Sequence, residues 1–364
     1  MDTSDPAISF DADGVCDHCH SYDANVAPHW RLETSTAQLD QMAAEIKKHS
    51  RGEFDCVLGL SGGLDSSYLA HVAVVDMGLK PLVFHVDGGW NSDVATRNIE
   101  NIVSKLGLEL FTEVINWKEM QDFQLALFKS GVPHVDLAQD HAFVATLYNF
   151  CLKEKLGYIL NGGNFSTECV QNPLKFFYYG TDMVHLRDIR KKFAKVPFDT
   201  YPTSGILRHK VYLRYIKRIK VVKPLNEVRY IRSEAIDFLR DEYDYEYYGQ
   251  KHFESRFTRF YEGYWLPTRF GFDTRRVQFS SLILTGQMSR EDAVAELEKP
   301  PYDEDTIQED IQYVATKLDI TVAELMAMHA APLKFYYDYR NTVSMFKVGA
   351  KVLNKLGIER AIRR

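Results

Sequence analysis

The sequence lacks the features that mark membrane and secreted proteins. No stretch of the 364 residues approaches the roughly 18 consecutive apolar residues that a membrane helix needs. The N-terminal string MDTSDPAISF is acidic and polar, whereas a signal peptide starts with basic residues and continues with apolar ones. Cysteine is scarce, and its odd number, five, does not suit a framework of disulfides. These absences predict a cytoplasmic chain without a membrane span.

An excess of positive charge is also missing. The chain has 44 lysines and arginines against 50 aspartates and glutamates, which gives a formal charge of −6. This balance argues against a nucleic-acid partner, because such a partner needs basic residues to neutralise its phosphates. With 45% hydrophobic and 26% charged residues, the composition is that of an ordinary globular chain of one large or two medium domains.

Two common phosphate-binding motifs are absent, and a different glycine-rich string is present. The chain contains neither G-x-x-x-x-G-K-[ST] nor G-x-G-x-x-G. It carries SGGLDSS at residues 61–67, after an apolar strand predicted from Cys56 to Leu60 and before a helix. Adjacent glycines let the backbone approach a ligand closely, and the free N–H groups at the start of the helix face the same point. The string therefore predicts a cradle for a phosphate chain.

Short apolar strands alternate with helices after this string. The alternation predicts an α/β fold with a parallel sheet that is covered on both faces. The further strands are predicted at Pro81 to Val86, Leu108 to Ile115, Tyr158 to Asn161, and Ile219 to Leu225. Ligands of such sheets bind beyond the carboxyl ends of the strands. The strings at 61–67, 85–90 and 161–164 all fall there, so we expect them to line one crevice.

The chain divides into three predicted regions. Residues 1–50 are expected to contain a cysteine knuckle and a helix, and the first 30 of them read as loop. Residues 51–241 are predicted to form the α/β nucleotide-binding domain. Residues 242–364 are predicted to be a mainly helical region for substrate or partner, which ends in an amphipathic basic helix near residues 343–364.

The cysteines differ in their predicted roles. Cys16 and Cys19 form a C-x2-C pair, which is half of a tetrahedral zinc site because a short turn lets two thiolates face one ion. No second pair lies nearby, and two solvent-facing cysteines in a loop are the alternative. Cys56 and Cys151 fall within an apolar strand and a helix, so we expect both to be buried packing thiols.

Several strings resemble known families. SGGLDSS resembles the PP-loop, SGGxDS, of the ATP pyrophosphatase superfamily, whose fold is adenine nucleotide α-hydrolase-like. That loop holds the pyrophosphate half of ATP while a substrate oxygen attacks the α-phosphate. Together with this loop, the longer strings, which span nearly the whole chain, resemble the N-acetyl sugar amidotransferases of bacterial surface-polysaccharide and O-antigen biosynthesis: GVCDHC, HVDGGWNSDVATRNIENIV, NGGNFSTE, KHFESRFTRF and RFGFDTRRVQFSSLILTGQMSREDA.

The resemblance implies an enzyme that converts the acetamido group of a nucleotide-linked sugar into an acetamidino group. The amide oxygen would attack the α-phosphorus of ATP, which gives an O-adenylated imidate and pyrophosphate. Ammonia would then add to the imidate carbon, and AMP would leave. ATP and Mg²⁺ are the expected cofactors. Family members usually carry another C-x2-C just upstream of MDTSDPAISF, so we expect half of a four-cysteine zinc site to be missing here.

A partner is expected to supply the ammonia. Free ammonia is scarce, and the sequence shows no Cys-His glutaminase constellation of its own. A separate glutaminase and an ammonia-channelling subunit are therefore expected.

The predicted site draws on these motifs and on the resemblance. The ATP-binding residues are Ser61, Gly62, Gly63, Asp65, Ser66, Ser67, His85, Val86, Asp87 and Gly162. Asp65 is expected to meet Mg²⁺ or to organise the loop, and similarity to the superfamily places the adenosine beside residues 85–87. The catalytic set is Asp65, Glu168, Lys251 and Glu254, and the substrate-binding set is Asn161, Gly163, His252 and Arg256. A surface ion-pair cluster is the alternative for the charged string 251–256.

Two other functions compete with this interpretation. Another adenylating PP-loop enzyme, such as a tRNA-thiolation or base-modifying ligase, would need a basic tRNA-binding surface, and the acidic composition argues against it. A non-catalytic ATP-binding regulatory module would need neither the serine and aspartate set of the loop nor the charged string at 251–256.

Overall fold

A computed structural model describes residues 1–50, 52–346 and 348–349. Within these ranges the strands are β1 (Cys56–Gly59), β2 (Pro81–Asp87), β3 (Leu110–Val114), β4 (Tyr158–Leu160) and β5 (Lys220–Val222). They form one parallel sheet in the order β3-β2-β1-β4-β5. The predicted α/β class and its parallel sheet are confirmed. Residues 350–364 of the predicted basic helix, together with residue 347, lie outside the described residues.

β1 lies in the middle of the sheet because its side chains are apolar on both faces. Val57 pairs with Leu82 of β2 and Ile159 of β4, and all three belong to the apolar cluster on one face. Leu58, the next residue, belongs to the cluster on the opposite face. Strands that are buried on both faces read as continuous apolar runs, which is why the sequence showed the central strands clearly.

Helices cover the sheet and continue through the C-terminal region. In the described residues they are α1 (Asp17–Asn25), α2 (Thr36–His49), α3 (Leu64–His71), α4 (Asp93–Leu106), α5 (Trp117–Ser130), α6 (Leu137–Lys153), α7 (Phe165–Glu168), α8 (Met183–Phe193), α9 (Arg232–Tyr243), α10 (Arg256–Phe260), α11 (Leu266–Phe270), α12 (Arg275–Leu284), α13 (Arg290–Glu298), α14 (Glu304–Lys317) and α15 (Val322–Ala330). Three π-helical segments span Val72–Asp76, Arg208–Ile216 and Tyr261–Trp265. None of the helices in the described residues has both the length and the apolar composition needed to cross a membrane.

The prediction that the first 30 residues form loop is wrong over α1. Asp17 stands in the first turn of this helix, where a negative charge is favourable. The next residue, His18, is buried and bonds through Nε2 to Asp5 Oδ2 at 2.9 Å. That partner lies 13 positions earlier in the chain, so the stabilising contact does not appear in the local pattern of the helix.

The largest apolar cluster joins the helices beside the sheet to the C-terminal helices. Phe123 and Phe128 of α5 share this cluster with Phe257 of α10, with Trp265 of the third π-helical segment and with Ile311 of α14. The core thus includes residues from both sides of the predicted boundary between 241 and 242. The division into 1–50, 51–241 and 242–364 stays a prediction. Cys56 and Cys151 are both fully buried, as predicted.

Candidate active site

The SGGLDSS loop turns sharply between β1 and α3. Gly62 has a φ of +78°, and a Cβ at this position would overlap the carbonyl oxygen of Ala95 and lie 3.0 Å from its carbonyl carbon. Only glycine fits such a backbone this close to α4. The hydroxyls of Ser61 and Ser66 are 3.1 Å apart, and the Gly63 N–H donates to Ser61 Oγ at 3.2 Å. These bonds hold the turn in a fixed shape at the carboxyl end of β1.

Asp65 is held by a lysine from a distant part of the chain. Lys251 Nζ lies 2.7 Å from Asp65 Oδ2 and 2.8 Å from Glu168 Oε1, and it donates to Thr167 Oγ1 at 2.9 Å. The hydroxyl of Tyr230 donates to the other oxygen of Asp65. One ammonium group therefore joins the start of α3 to the short helix α7 that follows β4.

Burial and charge act in opposite directions on this ion pair. Burial alone would raise the pKa of Asp65, but the ammonium of Lys251 outweighs it and holds that pKa below its usual range. Burial would likewise lower the pKa of Lys251, and the carboxylates of Asp65 and Glu168 raise it instead. Both groups are charged at neutral pH.

The end of β4 lies close against the start of α3. A Cβ at Gly162 would lie 3.1 Å from the carbonyl carbon of Asp65, and one at Gly163 would lie 2.7 Å from Asn161 Oδ1. The Gly163 N–H donates to Asn161 Oδ1 at 2.8 Å. Because the residues at this point are small, the end of β4 can lie directly against the loop.

Glu254 brings the C-terminal region against the loop. Its Oε1 accepts from Ser61 Oγ at 3.4 Å, and its Oε2 is buried without a hydrogen-bond partner among the described residues. Its backbone carbonyl accepts from the Ser92 N–H at 3.0 Å, and the Arg256 N–H donates to the Trp90 carbonyl at 3.0 Å. These backbone bonds fix the carboxylate beside the phosphate cradle.

His85 and its neighbours shape the end of β2. His85 Nδ1 donates to the Leu60 carbonyl at 2.8 Å, and Nε2 accepts from the Asn91 amide at 2.8 Å. Asp87 Oδ1 accepts from the Gly89 N–H at 2.7 Å. The contacts of His85 fasten the end of β2 to that of β1.

Two adjacent cavities lie at this edge of the sheet. The small cavity, of about 280 Å³, is lined by the SGGLDSS loop, the end of β4 and the segment from Tyr247 to Glu254. The large cavity, of about 450 Å³, is lined by the end of β2, by α6 and by the segment from His252 to Glu262. Gly59, Ser61, His252 and Glu254 line both. The two cavities therefore meet beside the loop.

Most of the predicted site residues gather around these cavities. Eleven line the small cavity: Ser61, Gly63, Asp65, Ser66, Asn161, Gly162, Gly163, Glu168, Lys251, His252 and Glu254. His85 and Val86 line the large cavity. Gly62, Ser67, Asp87 and Arg256 line neither.

Arg256 has a different environment from the one expected for a substrate ligand. Together with Arg259 it binds the buried carboxylate of Asp310, through an Arg256 Nη2 contact of 2.9 Å and an Arg259 Nε contact of 2.6 Å. Its guanidinium also lies 3.8 Å from the centre of the Tyr313 ring. These contacts join α10 to α14, and its predicted role in binding the substrate stays a prediction.

The large cavity contains acidic and aromatic residues that the sequence did not single out. They are His134, Asp136, Asp140, Tyr261 and Glu262. Burial, followed by the charge of Asp140, raises the pKa of Asp136 to about 7. Asp136 is the N-cap of α6, and Asp140 lies in its first turn. Acidic residues are common at such positions and do not form a recognisable motif. No pattern in the sequence pointed to this cluster.

His252 stands where the two cavities meet. Its Nδ1 lies 3.4 Å from Glu262 Oε1. Burial would lower the pKa of His252, and the Glu262 carboxylate outweighs it and raises the pKa to about 9. The imidazole therefore carries a positive charge at neutral pH.

The cysteine knuckle lies apart from these cavities. The sulfur atoms of Cys16 and Cys19 are 3.4 Å apart. His18 is bonded to Asp5 and His20 to Asp11, and the described residues contain no group of three or more histidine, cysteine or acidic side chains arranged to hold a metal ion. The two thiols supply half of the four ligands that a structural zinc requires, so these residues alone do not fit zinc.

A family model matches the C-terminal region. Residues 254–353 match the model described as "LPS biosynthesis protein WbpG-like, C-terminal domain". This match confirms the resemblance of the region to a lipopolysaccharide-biosynthesis family. No curated protein sequence matches the chain.

Among solved structures, 37 chains match this one. One of them is described as "Structure of NMN synthetase from Francisella tularensis". The two are 14% identical, and the match covers 79% of this chain and 98% of that chain with a TM-score of 0.38. At this level of similarity, that structure says nothing about the ligands of the present chain.

Proposed function

We propose that the chain is an ATP-dependent amidotransferase that acts on a nucleotide-linked N-acetyl sugar. The observation that carries the proposal is the position of Glu254, which begins the segment similar to a lipopolysaccharide-biosynthesis domain and lies 3.4 Å from Ser61 of the phosphate cradle. A glycine-rich loop alone would support only nucleotide binding. A carboxylate from the C-terminal region fixed beside that loop supports a reaction between the nucleotide and a sugar substrate.

The small cavity suits the phosphates of ATP. The N–H groups at the start of α3 and the hydroxyls of Ser61 and Ser66 would bind the pyrophosphate half. Lys251 supplies a positive charge whose position is fixed by two carboxylates. Mg²⁺ is commonly held by one or two carboxylates together with phosphate oxygens, and Asp65 and Glu168 are the carboxylates that would meet it here.

The large cavity would take the nucleoside and the reacting group. The end of β2, with His85 and Val86, lines it, so the adenosine would lie across the meeting point of the two cavities. The reacting α-phosphorus would then lie near Ser61 and Glu254. At that point the acetamido oxygen attacks, the bond between the α- and β-phosphates breaks, and pyrophosphate leaves towards Lys251.

The residues of the chain have three tasks in this step. Lys251 and the loop N–H groups stabilise the negative charge that grows on the departing pyrophosphate. Glu254 accepts the proton of the sugar amide nitrogen, because that nitrogen becomes more acidic as its carbonyl oxygen bonds to phosphorus. The walls of the cavities keep water from the adenylated imidate until ammonia reaches it.

The proposal implies partners and a location. A nucleotide-linked N-acetyl sugar is the substrate, and a separate glutaminase with an ammonia-channelling subunit would supply nitrogen. The substrates, ATP and a nucleotide sugar, are those of the cytoplasm. The proposal includes no nucleic-acid partner.

Product analysis tests the proposal. We expect the purified chain, given ATP, Mg²⁺, ammonium and a panel of UDP-linked N-acetyl sugars, to form AMP and pyrophosphate in equal amounts with one of the sugars. That sugar should change in mass by the replacement of one oxygen by one NH group. Asp65→Asn should abolish turnover while circular dichroism shows a retained fold. Absence of sugar-dependent AMP across the panel would contradict the proposal.

A further inference from the structure

The large cavity is rich in acidic groups and has no lysine or arginine among the described residues that line it. Four carboxylates line it, from Asp136, Asp140, Glu254 and Glu262. His252 is paired with Glu262, and His134 Nε2 lies 3.1 Å from Asp140 Oδ2. The four carboxylates outnumber these two histidines, so the net charge of the lining is negative and the cavity favours a cation or a neutral group over an anion.

Two buried polar groups in its wall lack a hydrogen-bond partner in the described part of the chain. Tyr261 is 1% exposed, and its hydroxyl is one of these groups. The other is Nδ1 of His134, a residue that is 8% exposed. A buried hydroxyl left unpaired costs free energy, which points to a ligand that supplies the missing bond. Burial and then the charges of Glu262, Asp136 and Asp140 raise the pKa of Tyr261.

Aromatic rings complete the same wall. Phe177 and Tyr261 cluster with His134: their ring centres lie 5.0 Å and 6.1 Å from the imidazole and 6.1 Å from each other. An aromatic face attracts an ammonium-type cation, so these rings suit such a ligand.

We propose that this acidic and aromatic end of the large cavity binds the ammonium ion and that Asp136 takes its proton. The proposal rests on the amidotransferase function and adds the site of its nitrogen substrate. A hydrogen bond from ammonium would satisfy Tyr261 Oη. One N–H proton passes to the Asp136 carboxylate, the nitrogen lone pair forms the new bond to the imidate carbon, and the C–O bond breaks to release AMP.

Asp136 is suited to act as this base. It accepts hydrogen bonds from Gln139 Nε2 at 2.5 Å and Thr258 Oγ1 at 2.7 Å, which fix its orientation. A carboxylate of ordinary pKa is too weak a base to take a proton from ammonium. Burial next to Asp140 raises the pKa of Asp136 and so brings it closer to the pKa of ammonium. Asp140 is more exposed and offers a route for the proton to water.

The kinetic test compares Asp136→Asn, Tyr261→Phe and a control, Glu100→Gln, which removes an exposed charge on α4. We expect Asp136→Asn to lower kcat/KM for ammonium about tenfold or more, because it removes the base, and Tyr261→Phe to raise the KM for ammonium several-fold. The KM for ATP and the rate of sugar-dependent ATP–pyrophosphate exchange without ammonium should stay within about twofold. A rise in the KM for ATP with no change for ammonium would assign these groups to the nucleoside and overturn the proposal.

A binding test needs no turnover. Ammonium chloride should raise the melting temperature of the unaltered chain above its value in sodium chloride of equal concentration, and Tyr261→Phe should remove the difference. Equal melting temperatures in the two salts would overturn the ammonium site. If the salts differ but no sugar supports exchange, the amidotransferase function fails and the cation site stands.

Discussion

Lys251 connects carboxylates that lie at two different strand ends. Asp65 follows β1 and Glu168 follows β4, yet both lie within 2.8 Å of the same ammonium nitrogen. The Lys251 side chain is 13% exposed and that of Asp65 is 19% exposed, so water screens the pair poorly. Removing the lysine would leave a buried charge without its partner, which costs more than the pair contributes when intact.

Lys251→Met is therefore expected to lower the free energy of unfolding by about 2–4 kcal/mol and to abolish sugar-dependent AMP formation. The double variant with Asp65→Asn should recover part of the stability, because neither charge is then buried alone, and should remain inactive. Lys299→Met is the matched control, since its ion pair with Glu296 is solvent-exposed and should change stability by less than about 1 kcal/mol. Urea unfolding monitors all three variants. Equal losses in Lys251→Met and Lys299→Met would contradict this account of the ion pair.

At the residue scale, the sequence indicated the groups that belong to motifs and missed those that do not. Asp65 lies in a short string with a recognisable pattern. Lys251 lies in a run of charged residues that has little reason to be structural. Asp136 and Tyr261 come together only when α6 meets the segment after α10. That contact depends on the packing of an aromatic core, which no local pattern encodes.

The turn from β1 to α3 is the element on which the site depends. Its glycine at position 62 combines a positive φ with a close approach to the carbonyl of Ala95 on α4. Gly107, at the end of α4, has a similar φ of +62°, but a Cβ at this position would have no atom of the described residues within 4 Å. A comparison of substitutions at the two glycines therefore distinguishes the effect of a positive φ from that of a steric contact.

Gly62→Ala is expected to lower the free energy of unfolding by about 2–3 kcal/mol, and Gly107→Ala by about 1 kcal/mol. The larger loss at position 62 includes the displacement of the loop from α4 and should also weaken ATP binding. Urea unfolding and calorimetric titration with ATP measure the two effects. Equal losses of stability, with unchanged ATP affinity, would show that the contact with Ala95 does not constrain the loop.

Elements with regularly spaced apolar residues and clear capping residues were predictable from the sequence, and elements held by distant contacts were not. The bounds of α4 follow from local signals, because Ser92 Oγ accepts from the Ala95 N–H at 3.1 Å and Gly107 ends the helix in a left-handed conformation. α1 lacks such signals, since Cys16 makes no side-chain cap and the buried partner of His18 is Asp5. Tertiary contact overrides local pattern in such a helix.

At the scale of the whole molecule, the site lies between the sheet and the C-terminal helices. The sheet places the loop and the ends of β2 and β4 at one edge, which follows from parallel topology. The C-terminal region adds Lys251, His252 and Glu254, and its helices share the largest core with α5 and α6. The parallel sheet was predictable from the order of apolar strands. The large cavity was not, because its walls come from segments more than 100 residues apart in the chain.

The most direct test of the adenylation chemistry follows one oxygen atom. A UDP-linked N-acetyl sugar labelled with ¹⁸O in its acetamido carbonyl is incubated with the chain, ATP, Mg²⁺ and ammonium, and the AMP is analysed by mass spectrometry. Attack of the amide oxygen on the α-phosphorus predicts one ¹⁸O atom in the phosphate of each AMP and none in pyrophosphate. AMP without the label, formed in step with the amidine, would contradict adenylation of the acetamido group.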